Sequence, residues 1–145
     1  MKKLFVISLL LAALSGCSKI ADVPGNTPGV PKEPVLVVRG GAIDHESNEP
    51  VRGIMVVLFT NKGQVLVRKD TSYTTSEGLF EVLSPGFAND KSYSLLARDM
   101  DGMDNGGEYE SSVIDINISE SSPSFNNQSN SYIVDGNVFY LSRSK

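Results

Sequence analysis

Gly53-Ile54-Met55-Val56-Val57-Leu58-Phe59, Asn61-Lys62-Gly63, then Gln64-Val65-Leu66-Val67-Arg68 is the stretch that decides the fold. The first run is apolar on both faces, as expected of a central strand in a sandwich. Asn61-Lys62-Gly63 reads as a hairpin turn into the second run. The same grammar continues in both directions. Upstream, Pro34-Val35-Leu36-Val37-Val38 leads into Gly40-Gly41 and a polar turn from Asp44 to Pro50. Downstream come Leu79-Phe80-Glu81-Val82, Tyr93-Ser94-Leu95-Leu96-Ala97 and Val113-Ile114-Asp115-Ile116-Asn117-Ile118. The last of these alternates strictly, so it should have one wet face. A Ser/Asn-rich run, Ser119 to Ser131, reads as a long mobile surface loop. Beyond it, Tyr132-Ile133-Val134 and Val138-Phe139-Tyr140-Leu141 flank Asp135-Gly136-Asn137. No stretch has a helical period. About seven short strands, with turn signals every ten or so residues, predict an all-β chain: a single antiparallel β-sandwich over residues 35–145.

The beginning of the chain speaks of location. Lys2 and Lys3 precede an almost wholly apolar run, Leu4 to Leu14, and Leu14-Ser15-Gly16-Cys17 places small residues before a cysteine. Charge, short apolar run and small-residue site in that order mark a removed signal peptide, residues 1–16. The apolar run is too short to span the ~30 Å core of a bilayer as a helix. The cysteine makes it a lipoprotein signal, with Cys17 the expected lipidation site carrying a diacylglyceryl group. Residues 17–34 hold four prolines and two glycines among few large apolar side chains, and so read as a flexible tether. Ser18 rather than Asp after the cysteine favours the outer membrane of the cell envelope.

Composition narrows the function classes. Cys17 is the only cysteine, and lipidation consumes it, so the domain is expected to have no disulfide, thiol nucleophile or thiolate ligand. Thirteen basic residues, two of them in the leader, stand against 17 acidic ones, which makes the mature charge about −6. Such a surface has no electrostatic reason to seek nucleic acid or anionic head groups. Attachment to a membrane would come from the acyl chains, at ~0.8 kcal/mol per buried methylene.

Three stretches together resemble the prealbumin-like, immunoglobulin-like sandwich of carboxypeptidase regulatory-like and CnaB-like domains. They are Val38-Arg39-Gly40-Gly41-Ala42-Ile43-Asp44 with Glu49-Pro50-Val51-Arg52-Gly53-Ile54-Met55-Val56; Asp70 to Val82, containing Thr74-Thr75-Ser76-Glu77-Gly78-Leu79-Phe80; and Tyr93-Ser94-Leu95-Leu96-Ala97. In physical terms Pro50 and Gly53 shape a first hairpin, Gly78 supplies a permissive turn position, and Phe80 points into the core. With the leader and the segment Asp99 to Tyr109, the whole is similar to a small group of Bacteroidetes lipoproteins named for lying near radical SAM enzymes. That resemblance implies a fold and a location, and no activity. CnaB-like domains often carry a Lys–Asn isopeptide clamp; the first strand here, Val35 to Ile43, holds no lysine, so the crosslink is not carried over.

Asp99, Asp101, Asp104, Asn105, Glu108 and Glu110 gather oxygen-bearing side chains in one short stretch, with Gly102, Gly106 and Gly107 between them. Calcium takes six to eight oxygens from such mixed sets, so Asp99, Asp101, Asp104, Asn105 and Glu108 are candidate ligands. The EF-hand pattern is not met: counting from Asp99, glycine falls fourth rather than sixth, and no helices flank Glu110. The competing and favoured reading is a solvated loop whose Asp, Asn and Gly serve turn geometry. His45 lies alone in a polar turn, no serine sits in a nucleophile elbow, and Gly40-Gly41 lacks the helix that a phosphate loop feeds. Tyr132, Phe139 and Tyr140 are expected to pack rather than bind. No catalytic residues are assigned and no cofactor is expected beyond that calcium. The sequence therefore predicts a non-enzymatic envelope module whose partners are a membrane, through Cys17, and a protein or glycan. The alternative is a substrate or accessory of a neighbouring radical SAM system.

Overall fold

A computed structural model describes residues 33–62, 65–86, 92–104, 107–118 and 123–145. The leader, Cys17, residues 17–32 of the tether and Asn105 lie outside them. Among the described residues eight strands follow in order: β1 Val35–Asp44, β2 Met55–Lys62, β3 Val65–Tyr73, β4 Leu79–Pro85, β5 Ser92–Arg98, β6 Ser112–Asn117, β7 Ser124–Asn126 and β8 Ser131–Leu141. They form two four-stranded sheets, ordered β4-β1-β8-β7 and β3-β2-β5-β6. The predicted β-sandwich is the observed architecture. One pairing departs from the antiparallel rule: β1 and β8, the first and last strands, run parallel in the middle of the first sheet. A parallel pair needs a long crossover. Here the intervening chain supplies it by building the second sheet.

β2 lies between β3 and β5, and Val56, Val57 and Leu58 are all buried, which is why its sequence is apolar on both faces. The core between the sheets is built mainly from Leu36, Val38, Val56, Leu58, Val82, Tyr93, Leu95, Ile116 and Phe139. β6 alternates as expected, with Val113 exposed and Ile116 buried.

Three boundaries differ from the sequence reading. Tyr132–Val134 and Val138–Leu141 are one strand, β8, and not two strands about a turn at Asp135-Gly136-Asn137. Val38 pairs with Val134 but Gly40 pairs with Asn137, so β8 carries one extra residue there, a β-bulge. Gly136 takes φ +83° in it, and the Asn137 amide donates to the Arg39 carbonyl at 3.0 Å, partnering a backbone group beside the irregularity. The Asp-Gly pair that signals a turn serves a bulge equally well, because both need a positive φ. The Ser/Asn-rich run is likewise not all loop, since Ser124–Asn126 pairs with β8. Asn61 and Lys62 belong to β2, paired with Leu66 and Val65, so the strand runs on through two residues that read as turn.

The motif residues form a clasp. The Thr74 hydroxyl donates to the Val51 carbonyl at 2.7 Å and accepts from the Ile54 N–H at 3.0 Å. Thr74 N–H donates to the Ile54 carbonyl at 2.9 Å, and Gly53 N–H to the Thr74 carbonyl at 3.1 Å. Gly78, at φ +70°, brings its carbonyl within 2.8 Å of the Ala42 N–H; a Cβ there would stand 2.6 Å from the Ala42 oxygen and 2.9 Å from Pro50. Pro-x-x-Gly and Thr-Thr-x-x-Gly-x-Phe are thus two halves of one joint between β1, β2 and β4. Phe80, placed by that joint, is buried against Phe139 at 5.9 Å between ring centroids. At the same side Asp70 accepts from the Leu83 N–H of β4 at 2.8 Å, tying the edges of the two sheets together.

Candidate functional site

The acidic segment follows β5. Asp99 is its organiser: its carboxylate accepts backbone N–H groups of Asp101 at 3.1 Å, Gly102 at 3.2 Å and Tyr109 at 3.0 Å. Burial pushes its carboxyl upward, but the bonds from Tyr109, Asp101 and Gly102 outweigh it and hold the group below the ordinary carboxylate range. Gly102 sits at φ +64° in open space. Asp101, Asp104 and Glu108 are exposed. Among the described residues no three His, Cys, Asp or Glu side chains are placed together to hold a metal ion. The geometry is that of an Asx-organised turn.

Sequence reading placed Asp44 in a polar turn beside His45; the structure separates the two. His45 is exposed, whereas Asp44 is only 2 % exposed. One Asp44 oxygen accepts N–H bonds from Glu46 at 2.8 Å and Ser47 at 2.9 Å. The other accepts the Tyr109 hydroxyl at 2.9 Å and Arg143 Nε at 2.8 Å. The Ser47 N–H and the Arg143 guanidinium hold its carboxyl far below the usual carboxylate range, against the upward push of burial. Burial, then the bond to Asp44, raises the Tyr109 phenol. Around this centre Glu110 N–H reaches the Ser142 carbonyl and Ser144 N–H the Glu108 carbonyl, so the C-terminal residues strap the acidic segment to β1. The missed signal was parity. Leu36, Val38, Gly40 and Ala42 alternate inward along β1, and Asp44 is the next inward position.

A concave surface of about 770 Å³ lies on the side of the first sheet away from the core. Its floor is Gly41, an outward position of β1, flanked in register by Leu79 of β4 and Val138 of β8. Tyr73 and Leu79, each more than half exposed, wall it on the β3 side, and the Asp135-Gly136 bulge rims the other. A Cβ at Gly41 would meet nothing closer than 3.5 Å, so glycine is not needed there for packing; its lack of a side chain is what leaves the groove open. Gly40 is the opposite case. A Cβ there would fall 1.9 Å from the Asn137 carbonyl oxygen and 2.7 Å from the Phe80 ring. Arg39 Nε donates to Glu81 at 2.7 Å at one end of the groove, and Glu81 together with Asp135 raises the guanidinium. Of the aromatics expected to pack, Phe139 is in the core, Tyr132 packs against it, and Tyr140 is exposed.

No protein-family profile and no curated protein sequence matches the chain. Among solved structures, the major pilin subunit BcpA of Bacillus cereus superposes with a TM-score of 0.51 at 18 % identity, over 77 % of this chain and 31 % of that one. The group B streptococcus pilus 2b backbone protein gives 0.50 at 12 %, over 75 % of this chain and 41 % of that one. This chain therefore spans well under half of either pilin. A hydroxyquinol 1,2-dioxygenase from Pseudomonas putida superposes less well, at 0.48 and 10 % identity. The β-sandwich is the fold found in those pilin subunits; at such identities the likeness extends to fold alone.

Proposed function

We propose that this protein is a non-enzymatic module of the cell envelope, anchored through Cys17 to the outer membrane, whose sandwich holds a partner molecule. The observation that carries the reading is the open groove over Gly41, an apolar surface that the described residues leave uncovered. Apolar concavities with a few charged groups at the rim are the usual form of a binding site. Two measurements test this. Labelled fatty acid fed to a bacterium expressing the full chain should enter the protein and fail to enter Cys17→Ala; equal labelling would sink the anchor. Crosslinking in envelope fractions should give an adduct that Gly41→Leu abolishes, and an adduct indifferent to that substitution would remove the groove from the reading.

A second reading makes the chain a substrate or accessory of a radical SAM system. Met100, Asp101, Met103 and Asp104 are exposed on the acidic segment, where an enzyme could reach them. An intact mass equal to that of the lipidated chain alone would exclude its substrate form.

A further inference from the structure

We infer that the groove takes an extended peptide in which an apolar side chain is flanked, two residues away on each side, by basic ones; this deepens the binding-module reading and rests on it. Spacing and charge carry the argument. In the first sheet Gly41 stands level with Leu79 and Val138, and Arg39 stands level with Glu81 beside the β8 bulge. The apolar centre of the groove is therefore one outward position along β1 from a charged end. Glu77, in the turn two residues before Leu79, supplies a carboxylate beyond the other side. From Leu79 to Glu81 β4 advances about 7 Å at ~3.3 Å per residue, one step between side chains on the same face, and Glu77 stands in the turn that precedes the strand.

The charge at those ends is unbalanced. Among the described lining residues Arg39 is the one cation, while Glu77, Glu81 and Asp135 are carboxylates. Arg39 is engaged by Glu81 at 2.7 Å and lies near Asp135, so at that end one cation faces two carboxylates, and Glu77 adds a carboxylate at the other. A basic side chain over each end and an apolar one over Gly41 satisfies the surface, with Tyr73 available to the alkyl stem of a lysine. For a glycan the floor of Gly41, Leu79 and Val138 offers no side-chain partner to a hydroxyl, and the charged groups stand at the ends, where they match basic side chains.

The probe is an array of seven-residue peptides, Ser-X-Ser-Z-Ser-X-Ser, with X Lys, Arg, Glu or Ser and Z Leu, Phe or Ser. A glycan array is run beside it, both exposed to the full chain purified in detergent. Peptides with basic X and apolar Z should bind at least tenfold tighter than their Glu counterparts. The preference should weaken several-fold between 50 and 300 mM salt, since such charges are solvent-exposed. Gly41→Leu should abolish binding, and Glu77→Lys with Asp135→Lys should remove the preference for basic X while the fold, read by circular dichroism, is kept. Equal binding of Lys and Glu peptides, or binding that survives Gly41→Leu, overturns the proposal. Gly41-dependent binding of acidic peptides or of glycans alone overturns it while the binding-module reading stands. Silence on both arrays overturns both.

Discussion

Replacing Thr74 by valine should remove the hydroxyl from the clasp while keeping the side chain's shape. Thr74 is 4 % exposed, and its hydroxyl serves two backbone groups, the Val51 carbonyl at 2.7 Å and the Ile54 N–H at 3.0 Å. Both lie in the connection between β1 and β2, outside the strand ladders. Each buried polar group left without a partner costs about 1–3 kcal/mol. The added methyl returns up to ~0.8 kcal/mol. The net expectation is a loss of about 3 kcal/mol, which for a domain near this size lowers the thermal midpoint by roughly 10 °C. Thr74→Ser keeps both hydrogen bonds and deletes one buried methyl, so it should lose only about 1 kcal/mol. Thermal unfolding followed by circular dichroism compares the three proteins directly. If the valine variant unfolds within about 2 °C of the parent, or if serine costs as much as valine, the clasp is held by packing and the hydrogen-bond account is wrong.

Further outcomes follow from the same geometry. Gly40→Ala must push the Asn137 carbonyl or the Phe80 ring aside and should cost at least ~3 kcal/mol or prevent folding, whereas Gly41→Ala should stay within about 1 kcal/mol of the parent; denaturant titration separates them. Asp44 and Asp99 are both held below their unfolded pKa values, so their contribution is fully present above about pH 4 and lost as pH falls further. Tyr109 is raised, so its protonated form is favoured and its contribution fades only above about pH 10. Stability should thus be level from about pH 5 to 8 and fall on acidification, less steeply in Asp44→Asn, as acid titrations of both would show. Millimolar calcium should leave the midpoint within about a degree of its value in EDTA, because Asp99 already serves three backbone donors; a rise of several degrees that Asp101→Ala abolishes would make the segment a metal site.

The fold class was legible because strand periodicity is local. β6 shows it best: Val113, Ile114, Asp115 and Ile116 announce a wet and a dry face from sequence spacing alone. Gly53 and Gly78 were legible as turn positions, and both take positive φ, but that the two motifs meet through the Thr74 hydroxyl in one clasp was not. Asp135-Gly136 was misread because a bulge and a turn place the same demand on φ, and only the partner strand's register tells them apart.

The sequence by itself determined that strands would pack as a sandwich, that Gly78 would sit in a turn and that Phe80 would enter the core. Local sterics and the period-two pattern carry that information. Only the tertiary structure decided that β1 and β8 pair in parallel, that Asp44 meets Tyr109 and Arg143, and that Gly41 lies open between Leu79 and Val138. Those outcomes depend on register between strands that lie about a hundred residues apart for β1 and β8, and no local preference encodes a register; it is set when one face of every strand is buried at once.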